Sequence, residues 1–248
     1  MILPKREDAL HKAMMFRVLS TIASDPDVSQ SFFFKGGTCA SMLGYLDRFS
    51  IDLDFDLKLK VDKNLIRKKI HILLTSLKMT IDKESRKELF FIAKYVAPNR
   101  DRNTLKVSIV DSQLKSNVYE PRFFSDIGRY LQCQTIETMF ANKLVALMDR
   151  YEKYQSLAGR DLYDIHHFFL NSYMYENNVI IERRNMAPVV YLEKLRSFIE
   201  TKITQKIIDQ DLNYLLPTDQ FRSVRKTIKR ETLIFLRDEI MRLTIDKK

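Results

Sequence analysis

Apolar positions along this chain keep two different periods. Near the start, Ala9, Ala13, Phe16, Leu19 and Ile22 recur at three- and four-residue steps and predict an amphipathic helix from Lys5 to Ala23. Ser29 to Lys35 holds Phe32, Phe33 and Phe34 and reads as a short buried strand; Thr38 to Leu46 reads as a short helix. From Ile51 to Leu59 the period drops to two, with Ile51, Leu53, Phe55, Leu57 and Leu59 alternating with Asp52, Asp54, Asp56 and Lys58. A strand sends alternate side chains to opposite faces, so this one carries an apolar face and a carboxylate face. A helix from Asn64 to Leu77 follows. Leu89 to Ala97 and Thr104 to Val110 read as strands, and the turn residues from Pro98 to Asn103 make them a candidate hairpin.

Beyond Thr135 the helical period takes over. Ile136, Met139, Leu144, Leu147 and Met148 form one stripe, and Leu162, Ile165, Phe168 and Phe169 another. Val189 to Thr201 and Gln220 to Leu243 complete the helical set. The pattern predicts an α+β protein: a mixed sheet with flanking helices over residues 1–130, then a helical bundle over 131–248.

Composition sharpens this picture in two places. Only 5 glycines and 6 prolines in 248 residues suit a helix-rich chain, and 45% hydrophobic residues suffice for a sizeable core. The net charge of +10 favours an anionic partner such as nucleic acid, nucleotide or an acidic protein, although lysine-rich codon usage produces the same figure. The first residues are charged and helical in spacing, unlike a secretory leader. No apolar run approaches the length of a membrane span. Cys39 and Cys133 lie in apolar stretches and read as free thiols. A soluble cytoplasmic protein is expected.

The candidate chemistry lies between Lys35 and Asp56. Gly36 and Gly37 stand side by side before Thr38, at the passage from strand to helix. Such a turn lets backbone N–H groups approach a phosphate, with Thr38 adding a hydroxyl; a plain tight turn explains it equally well. Neither a P-loop nor a dinucleotide fingerprint is present. Asp52 and Asp54 share a strand face and repel each other, which a divalent cation relieves; oxygen ligands suit magnesium or manganese. The bland alternative is a solvated acidic edge strand. Asp56 is either a third ligand or a solvated strand end. Arg48 and Ser50 flank the acids, and Arg48 pairs with a carboxylate or phosphate or makes a surface ion pair.

The run Lys35-Gly36-Gly37-Thr38, Arg48, Ser50, Asp52, Asp54 resembles the opening motif of the AbiEii/AbiGii (MenT-like) nucleotidyltransferase toxins, within the DNA polymerase β-like superfamily. Glu137, then Lys143 through Arg150, then Gly159-Arg160-Asp161-Leu162-Tyr163-Asp164-Ile165 resemble that family's downstream helical motif. The resemblance covers roughly residues 30 to 170. It implies that Gly37 and Thr38 grip a triphosphate, that Asp52 and Asp54 hold the metal, and that Lys143 reaches the triphosphate from the first helix of the bundle. Asp161 or Asp164 would complete the acidic side, as base or substrate-orienting residue, and Arg160 would hold phosphate or an acid. It further implies an NTP substrate, an acceptor that is the 3′ end of tRNA or a protein hydroxyl, and an antitoxin partner in a type IV toxin–antitoxin pair. One position departs. Superfamily members often carry a third carboxylate on a neighbouring strand, where this chain has Ser108; Asp111 is near but on the opposite face by alternation.

Two features lie outside that motif set. His166 and His167 lack a second ligand pair at metal spacing and read as surface or core residues. Arg222, Arg225, Lys226, Lys229 and Arg230 make a basic stripe on the last predicted helix, either a nucleic-acid contact or a solvated face. A non-catalytic RNA- or partner-binding protein on a degenerate scaffold, and a metal-dependent nuclease, are the competing function classes.

Overall fold

The computed structural model describes residues 1–98, 102–111 and 114–245. The chain divides into two units, Met1–Thr135 and Ile136–Lys248.

The first unit begins with α1 (Ala9–Ser24), entered through a short 3-10 turn. Its buried face is Met14, Met15, Val18, Leu19 and Ile22, whereas Ala9 and Ala13 are exposed, so the helix sits rotated from the expected stripe. The short α2 (Pro26–Ser29) starts on a proline, and Asp25 caps it by accepting from the N–H groups of Asp27 and Val28. Then come β1 (Phe32–Lys35), α3 (Gly36–Met42), β2 (Asp52–Leu57) and α4 (Lys63–Ser76). The strands β3 (Thr80–Glu84), β4 (Leu89–Lys94), β5 (Thr104–Val110), β6 (Tyr119–Phe124) and β7 (Arg129–Gln134) complete the unit.

The seven strands form one mixed sheet in the order β3-β4-β5-β2-β1-β7-β6. The expected pairing of β4 with β5 is present and antiparallel; residues 99–101 of its predicted turn lie outside the described residues. The central β2 runs antiparallel to β1 and parallel to β5, with Leu53, Phe55 and Leu57 buried beneath it. Three strands were not anticipated. β3 and β6 are the sheet edges: β3 is mostly exposed and polar, and β6 carries Pro121, which an edge tolerates because a ladder N–H is dispensable there.

The second unit is all helical: α5 (Ile136–Tyr154), α6 (Gly159–Leu170), α7 (Asn177–Arg184), α8 (Pro188–Lys202), α9 (Gln205–Leu212), α10 (Thr218–Val224) and α11 (Ile228–Ile245). Its core gathers Phe140, Leu144, Leu162, Phe168, Tyr191, Leu195 and Leu236. Gly159 lets α6 start against α9, since a Cβ there would lie 2.6 Å from the Ile207 carbonyl oxygen. The single C-terminal helix expected from Gln220 to Leu243 is broken into α10 and α11. The break is held by Gln205, whose side chain donates to the Arg225 carbonyl at 2.8 Å, and by an ion pair of Arg225 with Asp209. Among the described residues, no helix is long and apolar enough to cross a membrane.

Candidate active site

The turn from β1 into α3 explains why two glycines stand together. Gly36 has φ +78°, a left-handed conformation costly for a side chain, and a Cβ there would also lie 3.0 Å from Asp54 Oδ2. Gly37 is required for a different reason: a Cβ would lie 2.6 Å from Arg48 Nη2 and 3.1 Å from Ser50 Oγ. The motif residues spread over 19 positions of sequence therefore touch one another. Lys35, the residue before α3, offers no side-chain cap to the first-turn N–H groups.

Thr38 is buried, and its hydroxyl donates to the Asp52 carbonyl while lying 2.8 Å from the Ser50 hydroxyl. The hydroxyl expected to donate to phosphate is thus committed to fastening α3 onto β2. Arg48 is 2% exposed, so the surface ion pair is excluded. Its Nη1 donates to the Phe49 carbonyl at 2.9 Å, and its own carbonyl accepts from Ser41 at 2.7 Å. The guanidinium lies under Gly37 and sets the floor of the turn.

On β2, Asp52 and Asp54 are half-buried and share the face that the sequence predicts. The parallel register with β5 places Lys106 level with Asp52 and Ser108 level with Asp54. Lys106 Nζ sits 3.1 Å from Asp52 Oδ2. Sequence reasoning missed Lys106, although it is the one cation in an apolar strand and two residues before Ser108. Asp56 is neither a solvated end nor an open ligand. It is 2% exposed and accepts from Lys35 Nζ at 2.5 Å, Tyr119 Oη at 2.9 Å and Gln134 Nε2 at 2.8 Å, tying β2 to β1, β6 and β7. Asp111 pairs with Lys63 at 2.6 Å, away from this cluster.

The donor set of Asp52 and Asp54 is oxygen only, which fits a hard divalent cation. Their carboxylates face a turn whose first residue has no side chain, and Gly36 leaves the space beside Asp54 Oδ2 that a Cβ would fill. Among the described residues no group of three His, Cys, Asp or Glu side chains gathers for a metal. Two carboxylates would leave most coordination positions of such an ion to other oxygen ligands.

A buried histidine braces the start of β2. His11 Nε2 donates to the Ile51 carbonyl at 2.9 Å and Nδ1 lies 2.7 Å from the Tyr95 hydroxyl. Burial pushes its pKa down to about 4, only partly offset by the Ile51 hydrogen bond, so the ring is neutral at physiological pH.

The second unit holds the other predicted residues in one ion cluster. Lys143 on α5 lies 3.1 Å from Asp161 and 2.8 Å from Asp164, and Arg150 Nε lies 3.1 Å from Asp161. Both acids are essentially fully buried and, three residues apart on α6, face α5 together. Burial would raise the Asp161 pKa, but Lys143, Arg150 and Arg160 outweigh it and hold the group at about 2. A carboxylate so strongly ionised accepts protons poorly at neutral pH; it grips Lys143 instead. His166 is a core residue paired with Glu231 at 2.8 Å, and His167 is half-buried.

The predicted basic stripe is divided by the break before α11. Arg225 is committed to Asp209, Lys229 donates to the Glu200 and Ile203 carbonyls at 2.9 and 2.7 Å, and Arg222 is exposed near Asp219. Lys226 and Arg230 point to a groove described below.

Comparison with known proteins bears on the family and the fold. The model of the nucleotidyl transferase AbiEii toxin family of type IV toxin–antitoxin systems matches residues 17–235. No curated protein is significantly similar in sequence. Among solved structures, JHP933 from Helicobacter pylori aligns with a TM-score of 0.55 at 20% identity, covering 99% of this chain and 100% of its own. A putative nucleotidyltransferase from H. pylori aligns at 0.58 and 20% identity, covering 96% and 98%. MenT4, a nucleotidyltransferase toxin from Mycobacterium tuberculosis H37Rv, aligns at 0.58 and 15% identity, covering 95% and 87%. These structural likenesses show a shared fold. The family match extends over both the Gly36–Asp54 cluster and the Lys143–Asp164 cluster, and the chain therefore belongs to the AbiEii nucleotidyltransferase toxin family.

Proposed function

We propose that this nucleotidyltransferase transfers NMP from an NTP to a hydroxyl of an RNA acceptor, with the 3′ end of tRNA as the favoured acceptor, and that a cognate antitoxin restrains it in the cytoplasm. The observation that carries the reading is the mutual contact of Gly36 with Asp54 and of Gly37 with Arg48 and Ser50, which brings an uncapped helix start and two carboxylates to one place. Asp52 and Asp54 would hold magnesium or manganese, and such an ion supplies charge neutralisation to a bound triphosphate. The N–H groups of Gly36, Gly37 and Thr38 present donors to phosphate oxygens, while Arg48 and Ser50 keep the turn in shape. By the resemblance, Lys143 would be the cation for the leaving pyrophosphate and Arg160 would add positive charge; within the second unit, Asp161 and Asp164 hold the Lys143 ammonium. The acceptor hydroxyl oxygen bonds to the α-phosphorus as the bond from that phosphorus to the α–β bridging oxygen breaks; pyrophosphate leaves and the hydroxyl proton passes to solvent.

The test is incubation of purified protein with magnesium, each α-labelled NTP in turn and total cellular RNA, with Asp52→Ala alongside. Label on tRNA with wild type alone is the expected result and names the nucleotide. Label on protein keeps the chemistry and replaces the acceptor. Metal-dependent NTP binding with no label anywhere would overturn the proposal in favour of a binding scaffold.

A further inference from the structure

The second unit contains a groove of about 380 Å³ between α8, the start of α9 and the first half of α11. Five cations line it, Arg196, Lys226, Lys229, Arg230 and Arg237, with Gln205, Leu233 and Ile234, and no carboxylate among the described residues. Like charges gathered in one groove repel, which the fold tolerates only at a cost. Of the acids nearby, Asp209 is committed to Arg225, outside the lining, whereas Asp238 pairs with the groove's own Arg237 at 2.9 Å. Lys229 is held by the last carbonyls of α8, where a cation suits the negative end of the helix. Arg196 contributes a second observation, since its Nε is buried and finds no hydrogen-bond partner among the described residues. A buried guanidine N–H left without a partner costs free energy, which an anion recovers if the Arg196 side chain turns towards it.

We infer that this groove is a docking site for the phosphodiester backbone of the RNA acceptor. The inference rests on the RNA reading above and adds a site to it. A backbone fits better than a single anion because the cations are spread out. Arg230 and Arg237 are separated by seven helical residues, about 10 Å of axis, longer than one phosphate group. Leu233 and Ile234 lie between them, matching a ligand that alternates charged phosphate with uncharged sugar. Arg196, Lys226 and Arg230 contact phosphate, and Lys229 positions the α8 end of the groove. None of these residues belongs to the transfer machinery assigned above.

The experiment measures tRNA binding by fluorescence anisotropy across a salt series for wild type, Asp52→Ala and the double variant Lys226→Gln/Arg230→Gln, with NTP binding and thermal melting recorded for each. The double variant should melt like wild type, bind NTP normally and lose at least ~10-fold in tRNA affinity near physiological salt, with a smaller salt slope, by roughly one to two units for two lost phosphate contacts. Asp52→Ala should bind tRNA like wild type while transferring nothing. Unchanged tRNA affinity and slope in the double variant would overturn the groove assignment while leaving the transferase reading intact. Transfer to protein with no tRNA binding by wild type would overturn both the RNA acceptor and the groove. If inorganic triphosphate but not tRNA protects Lys226 from acetylation, the groove is a small-anion site and the inference fails. Should the double variant fold poorly, the exposed single substitution Lys226→Gln and the acetylation protection carry the test.

Discussion

Lys106 on β5 stands level with Asp52 on β2, and its ammonium lies 3.1 Å from the carboxylate that the family resemblance assigns to a metal. Both groups are partly exposed, so the pair is worth only about 0–1 kcal/mol and yields readily to a divalent cation. In the absence of metal it offsets the repulsion between Asp52 and Asp54. Lys106→Met should therefore tighten Mn2+ binding by about 2- to 5-fold, followed by electron paramagnetic resonance of free Mn2+. Weaker binding would show that Lys106 supports the metal site rather than competing with it.

The glycines at 36 and 44 separate two costs. Both have strongly positive φ, but a Cβ at Gly44 meets nothing within 4 Å, whereas at Gly36 it meets Asp54. Gly44→Ala should cost about 1–2 kcal/mol from backbone conformation alone. Gly36→Ala should cost more and should also weaken NTP binding, because Asp54 has to move. Equal losses in chemical denaturation would mean that Asp54 relaxes freely.

Gly37→Ala tests the floor of the turn. Its Cβ would collide with Arg48, which is buried and has little room to shift. A destabilisation of roughly 1–3 kcal/mol is expected, as for other overpacked sites. Gly37→Ala combined with Arg48→Lys, which shortens the obstructing end, should recover part of it; a strictly additive double variant would place the strain elsewhere.

Removing Lys143 should damage the fold as well as catalysis. Lys143→Ala leaves Asp164 buried without that cation and Asp161 with Arg150, and breaking a buried pair costs about 3–5 kcal/mol. Activity lost in this variant is therefore uninterpretable unless melting is measured beside it. Lys143→Arg, keeping the charge, should retain most of the stability. A Lys143→Ala protein as stable as wild type would contradict the buried cluster.

Two buried groups with lowered pKa values, His11 and Asp161, predict a two-stage loss of stability in acid. His11 is held neutral with its pKa pushed down to about 4 from 6.5, so the unfolded chain binds the extra proton first. Its contribution is full above about pH 6.5 and is lost as pH falls towards 4, a total of roughly 3 kcal/mol. Asp161, held at about 2 from 3.8, contributes fully above about pH 4 and loses its contribution between about 4 and 2. His11→Gln should abolish the upper stage alone in denaturant titrations at stepped pH. An unchanged upper stage would assign it to another group.

Local residue spacing dictates the faces of individual elements. Alternation from Ile51 to Leu59 requires an apolar face and an acidic face whatever the strand pairs with, and the phenylalanines of β1 require burial. Asp52 and Asp54 were legible because period-two spacing fixes their common side; Lys143, Asp161 and Asp164 were legible through motif order. β3 and β6 were not legible, since edge strands with one solvated face carry little hydrophobic signal. Nor was the rotation of α1, where alanines spaced like a core stripe were outcompeted by larger residues for buried area.

Which charges neutralise one another depends on how distant elements pack. Lys106 meets Asp52 only because β5 runs parallel to β2 in one register; a shift of one residue would turn it to the other face. Asp56 shares the alternation of Asp52 and Asp54, yet Lys35, Tyr119 and Gln134 converge on it from strands up to 78 positions away and make it structural. The basic stripe looked uniform along one helix, but Asp209 and the end of α8 claim Arg225 and Lys229, while Arg196 joins Lys226 and Arg230 in the groove. Side-chain spacing records which face of an element a charge occupies; the packing of distant elements determines what stands opposite it.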